Sequence, residues 1–197
     1  MSSTSILFLV GIKHSGKSAL GRLASSVIPN ATFYDSDDYV IPLLAPPYTS
    51  IRQFYGSEGQ AAFMALELEA VKSILQQAEG ELAIIALGGG ACDNTPLITL
   101  MQRVGKIIYL QVDSETLFKR IVKGGLPPFL DSDDPASSFD TLYRQRDAQY
   151  RKLSDYVLQL SDCRSVEENG LIVAKLLLEV AGSEDQCQKT VSEQPLK

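Results

Sequence analysis

The sequence predicts an α/β fold built on a parallel sheet with helices on both faces. Short apolar runs alternate along the chain with longer segments of helical periodicity, which is the pattern of such sheets. The first apolar run, Ile6 to Val10, leads directly into a glycine-rich loop and then into a helical segment. The alternation continues to about residue 181, so we expect a single domain over 1–181 and a polar, non-periodic and disordered tail over 182–197.

Each predicted element follows from its local pattern. Five apolar runs have the length of buried strands, and they lie at residues 6–10, 32–34, 81–87, 106–112 and 156–160. In the helical segment after the first strand, Leu20, Leu23 and Val27 fall on one side. Four such helices are predicted at residues 17–28, 114–122, 138–152 and 165–180.

The loop after the first strand, Gly11-Ile12-Lys13-His14-Ser15-Gly16-Lys17-Ser18, matches the Walker A pattern. Backbone N–H groups of such a loop converge on phosphate oxygens, and the next helix adds the positive end of its dipole. Lys17 supplies a full charge, and the Ser18 hydroxyl can bind Mg²⁺. The preceding strand and the following helix are the context that this mechanism needs, so the sequence predicts a nucleoside triphosphate site.

Two segments depart from simple alternation. Residues 37–78 are predicted to be mostly helical, with breaks at 42–48 and 56–59 where proline or glycine interrupts the pattern. Residues 123–138 are rich in Gly, Pro, Asp and Ser and lack periodicity, which predicts a long loop. A loop of this length in a phosphate-binding domain is a candidate lid.

Composition excludes several classes of protein. With 45% hydrophobic and 21% charged residues, the chain fits a soluble domain with a full core. A net charge of −6 without a run of Lys or Arg argues against a nucleic-acid partner. Three cysteines without metal-ligand spacing fit free thiols, and the lone His14 cannot form a histidine metal site. No apolar stretch is long enough to span a bilayer, so we expect a cytoplasmic protein without a membrane partner. We also expect a monomer whose partner is a small molecule.

Two further motifs follow the second and third strands. Asp35-Ser36-Asp37-Asp38 lies where ligands bind in parallel sheets, beyond the carboxyl end of a strand. One aspartate there can hold Mg²⁺ through water and another can accept a proton from an attacking hydroxyl, or Asp37 or Asp38 merely caps the next helix. Gly88-Gly89-Gly90 lets the backbone approach a ligand closely, or forms a plain tight turn.

In their order and spacing, these motifs resemble those of the shikimate kinase family of small P-loop kinases. Other matching segments are Phe33-Tyr34-Asp35-Ser36-Asp37, Ile51 and Phe54 before Gly59, Phe63-x-x-x-Glu67, Ile108-Tyr109-Leu110, Pro128-x-Leu130, and Arg146-x-x-x-Tyr150 before Asp155. The resemblance implies a three-layer α/β/α fold with a five-stranded sheet in the order 2-3-1-4-5. It also implies that the γ-phosphoryl of MgATP moves to an alcohol of a small metabolite, held between residues 37–78 and the lid.

Together the motifs and the resemblance assign roles to individual residues. Lys17 and Asp37 are the expected catalytic residues, and Ser18 and Asp35 the expected metal ligands. The expected ATP-binding residues are Gly11, His14, Ser15, Gly16, Lys17, Ser18, Ala19, Arg120 and Arg164. The expected acceptor-binding residues are Asp37, Gly88, Gly89, Gly90, Arg146, Lys13, Arg52 and Met64.

The chain also departs from the family pattern. Of three arginines that the family places around the acceptor and the transferred phosphoryl, Arg146 is retained, whereas the other two positions are Met64 and Pro127. Smaller departures are Gln60 for Glu, Leu87 for Thr, and His14 for a glycine of the phosphate loop. Lys13 and Arg52 are either compensating cations or solvated surface residues.

Three functions are compatible with these residues. The first is a divergent shikimate kinase, and the second is a related kinase for another hydroxylated metabolite. The third is a nucleotide-binding module that has lost turnover.

Overall fold

The computed structural model describes residues 5–124, 130 and 133–192, with side chains up to residue 182. Its five strands are β1 Ser5–Val10, β2 Ala31–Asp35, β3 Leu82–Ala86, β4 Lys106–Gln111 and β5 Tyr156–Gln159. All neighbouring strands pair in parallel, in the order β2-β3-β1-β4-β5. The predicted fold class, the five strands and their order are confirmed.

Helices connect consecutive strands, as a parallel sheet requires. The described helices are α1 Lys17–Val27, α2 Ser36–Val40, α3 Ile51–Gln77, α4 Thr95–Val104, α5 Ser114–Lys123, α6 Pro135–Leu153 and α7 Val166–Ser192. Short 3₁₀ turns lie at Ile41–Leu43 and Ala91–Asp93. Several helices begin at a side-chain cap, because an oxygen there accepts from a free N–H of the first turn: Asp35, Ser50, Asn94, Asp113 and Asp134.

The central strand β1 is buried on both faces, and its place in the sheet determines where the loop that follows it lies. Five consecutive residues from Ile6 to Val10 are buried, which requires that both faces of the sheet be covered. Because β1 lies between β3 and β4, the loop that follows it emerges at the middle of the carboxyl edge. Helix α7 packs on α1, the helix after that loop. The glycine at 170 permits the close approach, since a Cβ there would lie 2.4 Å from Leu23 Cδ2.

The structure corrects two predictions in the middle of the chain. The break expected at 56–59 is a kink inside α3, where Gly59 has a φ of 81°. Helix α4 was not predicted. Its sequence carries the signals of a helix start, since Asn94 caps it, Pro96 lies in its first turn, and Leu97 and Met101 are buried one turn apart.

Two segments were expected to lack regular structure: the lid at 123–138 and the tail at 182–197. Seven of the sixteen residues of the predicted lid, Pro127 among them, lie outside the described residues. Helix α6 begins at Pro135, within the span predicted as loop. Helix α7 continues to Ser192, so the backbone of residues 182–192 is helical where a disordered tail was expected. Within the part of the chain that the structure describes, no helix has the length and hydropathy needed to cross a membrane.

Candidate active site

The loop between β1 and α1 has the shape of a phosphate cradle. Gly11, His14 and Gly16 have φ angles of 153°, 67° and 93°, which turn the chain tightly around the start of α1. A Cβ at Gly11 would lie 2.8 Å from both Leu110 O and Ser15 Oγ, so a larger residue cannot take this position. The Ser15 hydroxyl is buried and has no hydrogen-bond partner in the described structure. An oxyanion bound in the cradle would supply one.

Lys17 is buried beneath this loop and is held by it. Its Nζ donates to Gly11 O at 2.8 Å and to Ile12 O at 3.3 Å. Burial lowers the pKa of Lys17 to about 8, against the opposing effect of the carboxylates of Asp37 and Asp35. The ammonium is therefore stripped of water and positioned before any phosphate arrives. Ser18, the next residue, is exposed at the first turn of α1.

The two aspartates after β2 have different environments. Asp35 caps α2 by accepting from Asp37 N at 3.2 Å, so the cap is Asp35 and not Asp37 or Asp38 as the alternative had it. Asp37 is left to face the cleft. Partial burial there raises its pKa, Asp35 adds to the rise, and Lys17 and Lys13 oppose it. A carboxylate with a raised pKa accepts a proton more readily than an ordinary one.

Each residue of the triple glycine is small because a different group lies against it. A Cβ at Gly89 would lie 2.7 Å from Lys13 N, so the phosphate loop and the triple glycine are in contact. A Cβ at Gly90 would lie 3.1 Å from Arg146 Nη2, and one at Gly88 would lie 2.9 Å from Glu67 Oε1. The three glycines therefore bring the two loops and two charged side chains together, which a plain tight turn does not require.

Glu67 is a buried carboxyl that belongs to a predicted motif but not to the predicted site residues. It is 2% exposed, and its Oε2 accepts from Asn94 Nδ2 at 2.9 Å. The other oxygen, Oε1, is buried and has no hydrogen-bond partner among the residues that the structure describes. Burial raises the pKa of Glu67 to about 7, although the bond from Asn94 opposes the rise. A charged residue among the buried α3 positions Ala70, Val71 and Ile74 was the signal that could have identified it.

Met64 lies one turn before Glu67, and its backbone oxygen accepts from the same amide, Asn94 Nδ2, at 2.9 Å. Its side chain is half-buried. The position of the family arginine therefore lies one helical turn from a buried acid and shares the Asn94 amide with it. Arg52 lies near the start of α3 and is exposed, and Lys13 is exposed in the loop.

Arg146, the retained arginine, reaches the triple glycine from α6. Its Nη1 donates to Gly89 O at 3.1 Å, and its Nη2 lies 2.9 Å from Asp93 Oδ2. The two side chains of this ion pair are 15% and 19% exposed. Asp93 was not among the predicted site residues, because its contact with Arg146 spans more than fifty residues of sequence and depends on the fold.

A second part of the site lies on the other side of the phosphate loop. Arg120 Nη1 donates to His14 O at 2.9 Å, and the guanidinium pairs with Asp162. Asp162 lines a cavity of about 440 Å³ between the start of α5 and the segment after β5, together with Asp113, Thr116, Gln159, Leu160, Ser161, Cys163 and Arg164. Arg120 and Arg164 are thus brought to one region, next to the loop. Ala19 is exposed in the first turn of α1.

Comparison with known proteins agrees with this geometry. The sequence model of the shikimate kinase family matches residues 13–179. The chain belongs to the shikimate kinase family. It is a kinase of the P-loop fold, as the motifs predict, and the resemblance drawn from the sequence is confirmed.

Individual members of the shikimate kinase family align along most of the chain. The shikimate kinase of Burkholderia lata is 29% identical over 177 residues, which are 89% of this chain and 91% of that protein. The shikimate kinase of Chlorobium phaeobacteroides is 33% identical over 133 residues, 68% of this chain and 66% of that protein. The structure of shikimate kinase from Acinetobacter baumannii in complex with shikimate has a TM-score of 0.76 at 21% identity, covering 90% of this chain and 95% of that one.

Proposed function

We propose that this protein transfers the γ-phosphoryl group of MgATP to a hydroxyl group of shikimate. The observation that carries the proposal is the contact between the phosphate loop and the triple glycine at Gly89, with Asp37 and Lys17 beside both. A phosphate over the loop and an alcohol over the glycines would then meet within the cleft. Positioning of this kind supplies much of the rate enhancement in phosphoryl transfer.

Each side chain has a distinct part in the transfer. Lys17 neutralises charge on the β- and γ-phosphates, and its buried position makes that interaction stronger than it would be in water. Asp37 accepts the proton of the attacking hydroxyl. The Ser15 hydroxyl donates to a phosphate oxygen. The nucleotide base occupies the cavity near Arg120 and Arg164, on the opposite side of the loop from the acceptor.

The same edge of the sheet fits a magnesium ion. Ser18 and Asp35 offer a hydroxyl and a carboxylate, which are the hard oxygen ligands that Mg²⁺ prefers. Held there, Mg²⁺ would supply positive charge against the negative charge of the transferred phosphoryl group. Asp35 keeps Asp37 in place through its cap to Asp37 N, whether or not the metal is present.

Removal of the Lys17 ammonium tests the nucleotide assignment. We expect Lys17→Ala to abolish measurable MgATP binding in calorimetry and phosphorylation of shikimate in a coupled assay. Lys119→Ala, which removes an exposed lysine paired with Glu115 on α5, is the matched control and should behave as wild type. Circular dichroism establishes that both variants are folded. Unchanged MgATP affinity in folded Lys17→Ala protein would overturn the phosphate-loop assignment.

A second function is favoured by the acceptor side of the site. Met64 has no charge, and the guanidinium of Arg146 is paired with Asp93. The positive charge that an acceptor carboxylate would meet is therefore smaller than the family pattern implies. A related kinase for a less anionic hydroxylated metabolite fits these residues. An assay over hydroxy acids, polyols and sugars distinguishes the two functions, and phosphate transfer to none of them would favour the module without turnover. The cytoplasmic location and the monomeric state stay predictions from the sequence.

A further inference from the structure

Lys13 is the residue at which the phosphate loop touches the triple glycine. A Cβ at Gly89 would lie 2.7 Å from Lys13 N and 3.1 Å from Lys13 Cβ. The side chain of Lys13 therefore begins at the contact between the two loops. In the proposed reaction the phosphates lie over the loop and the acceptor lies over the glycines, so the phosphoryl group passes this contact during transfer.

The ammonium of Lys13 is within electrostatic reach of both expected catalytic residues. Burial raises the pKa of Asp37, and the charges of Lys17 and Lys13 oppose that rise. Burial lowers the pKa of Lys17, and the charges of Arg146 and Lys13 add to the fall. Because Coulomb interactions weaken with distance, a charge that acts on both side chains lies near both.

The cations around this contact differ in the partners that they already have. Lys17 Nζ donates to two carbonyl oxygens of the loop, and Arg146 is paired with Asp93. Lys13 is exposed and makes no hydrogen bond or ion pair with the residues that the structure describes. All three N–H donors of its ammonium are therefore available to a ligand.

We propose that Lys13 is a catalytic residue whose ammonium donates to an oxygen of the phosphoryl group while that group moves from the nucleotide to the acceptor. The inference rests on the proposed function, since it takes the phosphate loop and the triple glycine as the two sides of the transfer. It differs from binding of the acceptor, which is the role expected for Lys13 from the sequence.

The transfer can be written so that every atom is accounted for. A bond forms between the acceptor hydroxyl oxygen and the γ-phosphorus, and the bond from that phosphorus to the bridging oxygen of the β-phosphate breaks. The hydroxyl proton passes to Asp37, and ADP leaves. Lys13 transfers no proton, and it contributes charge and hydrogen bonds to the phosphoryl oxygens between the two loops.

Kinetics of two variants separate this role from binding of the acceptor. Lys13→Met removes the charge and keeps an unbranched side chain of similar length, whereas Lys13→Arg keeps the charge. We expect Lys13→Met to lower kcat about 10²-fold and to change the KM for shikimate and the affinity for MgATP less than about fivefold. Lys13→Arg should keep kcat within about tenfold of wild type. The matched control is Lys72→Met, at an exposed pair with Glu69 on α3, which should behave as wild type.

A transition-state analogue gives a readout that does not depend on turnover. MgADP with aluminium fluoride mimics the phosphoryl group in transit, and analogues of a transition state bind more tightly than substrates. Calorimetry with and without shikimate measures how much aluminium fluoride raises the affinity for MgADP. We expect Lys13→Met to reduce this gain about tenfold or more and to leave the affinity for MgADP alone nearly unchanged.

The outcomes separate the role of Lys13 from the function on which it rests. A raised KM for shikimate with unchanged kcat would make Lys13 an acceptor-binding residue and overturn the inference, as would a Lys13→Met variant that behaves as wild type. If the wild type does not phosphorylate shikimate, the proposed function fails. The aluminium fluoride measurement then decides the role of Lys13, which stands if Lys13→Met loses the gain and is overturned if the variant keeps it or the wild type shows none.

Discussion

Glu67 is expected to limit the stability of the folded protein at neutral and alkaline pH. Burial raises its pKa from 4.5 to about 7, so the folded protein keeps a proton that the unfolded chain releases. Between these two values the unfolded chain binds fewer protons, and the free energy of unfolding falls as the pH rises. Each tenfold change in proton affinity corresponds to about 1.4 kcal/mol, so the total fall is about 3 kcal/mol.

Glu67→Gln should remove this loss. Glutamine has the shape of the neutral carboxyl and keeps an oxygen for Asn94 Nδ2, which donates to Glu67 Oε2 at 2.9 Å. We expect the variant to be about 3 kcal/mol more stable than wild type at pH 8, and less than about 1 kcal/mol more stable at pH 5, where wild-type Glu67 is protonated. The control Glu69→Gln changes an exposed glutamate on the same helix, paired with Lys72, and should have little effect at either pH.

Urea unfolding at the two pH values measures the difference directly. Far-UV circular dichroism is the suitable signal, because the chain contains no tryptophan. A Glu67→Gln variant that is no more stable than wild type at pH 8 would refute the argument. So would an equal gain at both pH values, since that gain would come from packing and not from the buried charge.

Two further substitutions test the acceptor side of the site. Asp37→Asn should lower kcat about 10²-fold or more and leave MgATP affinity nearly unchanged, because the amide cannot accept the hydroxyl proton. The control is Asp38→Asn, which makes the same change at the next, exposed residue. Full activity in Asp37→Asn would contradict the assignment. Met64→Arg should lower the KM for shikimate about tenfold relative to Met64→Leu by restoring a carboxylate-binding cation, and an unchanged KM would show that the pocket differs in shape as well as charge.

The features that could be predicted from the sequence are those that depend on residues adjacent along the chain. The Walker pattern from Gly11 to Ser18 and the apolar run before it locate the phosphate loop, because strand, turn and helix each leave a local signature. The strand order came from the family resemblance, since local patterns do not specify which strands become neighbours. Helix α4 was missed although Asn94 and Pro96 are local signals of a helix start. Its apolar segment is short and comes soon after three glycines, which favour a turn.

The rest of the site depends on contacts between distant residues. In the sequence, Asp93 is one more polar residue after a turn, and its ion pair with Arg146 forms only because α6 brings that arginine against the triple glycine. The same holds for Glu67, whose raised pKa comes from the depth at which α3 is buried. The charges around the triple glycine therefore depend on long-range contacts, and the roles assigned to individual residues from the sequence stay predictions.

The position of β1 at the centre of the sheet has a consequence for biosynthesis. The phosphate loop is encoded within the first twenty residues, yet β1 gains its two neighbours only when β3 and β4 have been synthesised. The outer side of α1 is covered by α7, with Gly170 against Leu23, and α7 is synthesised after all five strands. Long-range pairing of this kind delays folding until the distant segments are available. The phosphate loop is thus translated before the strands and the helix that complete its surroundings.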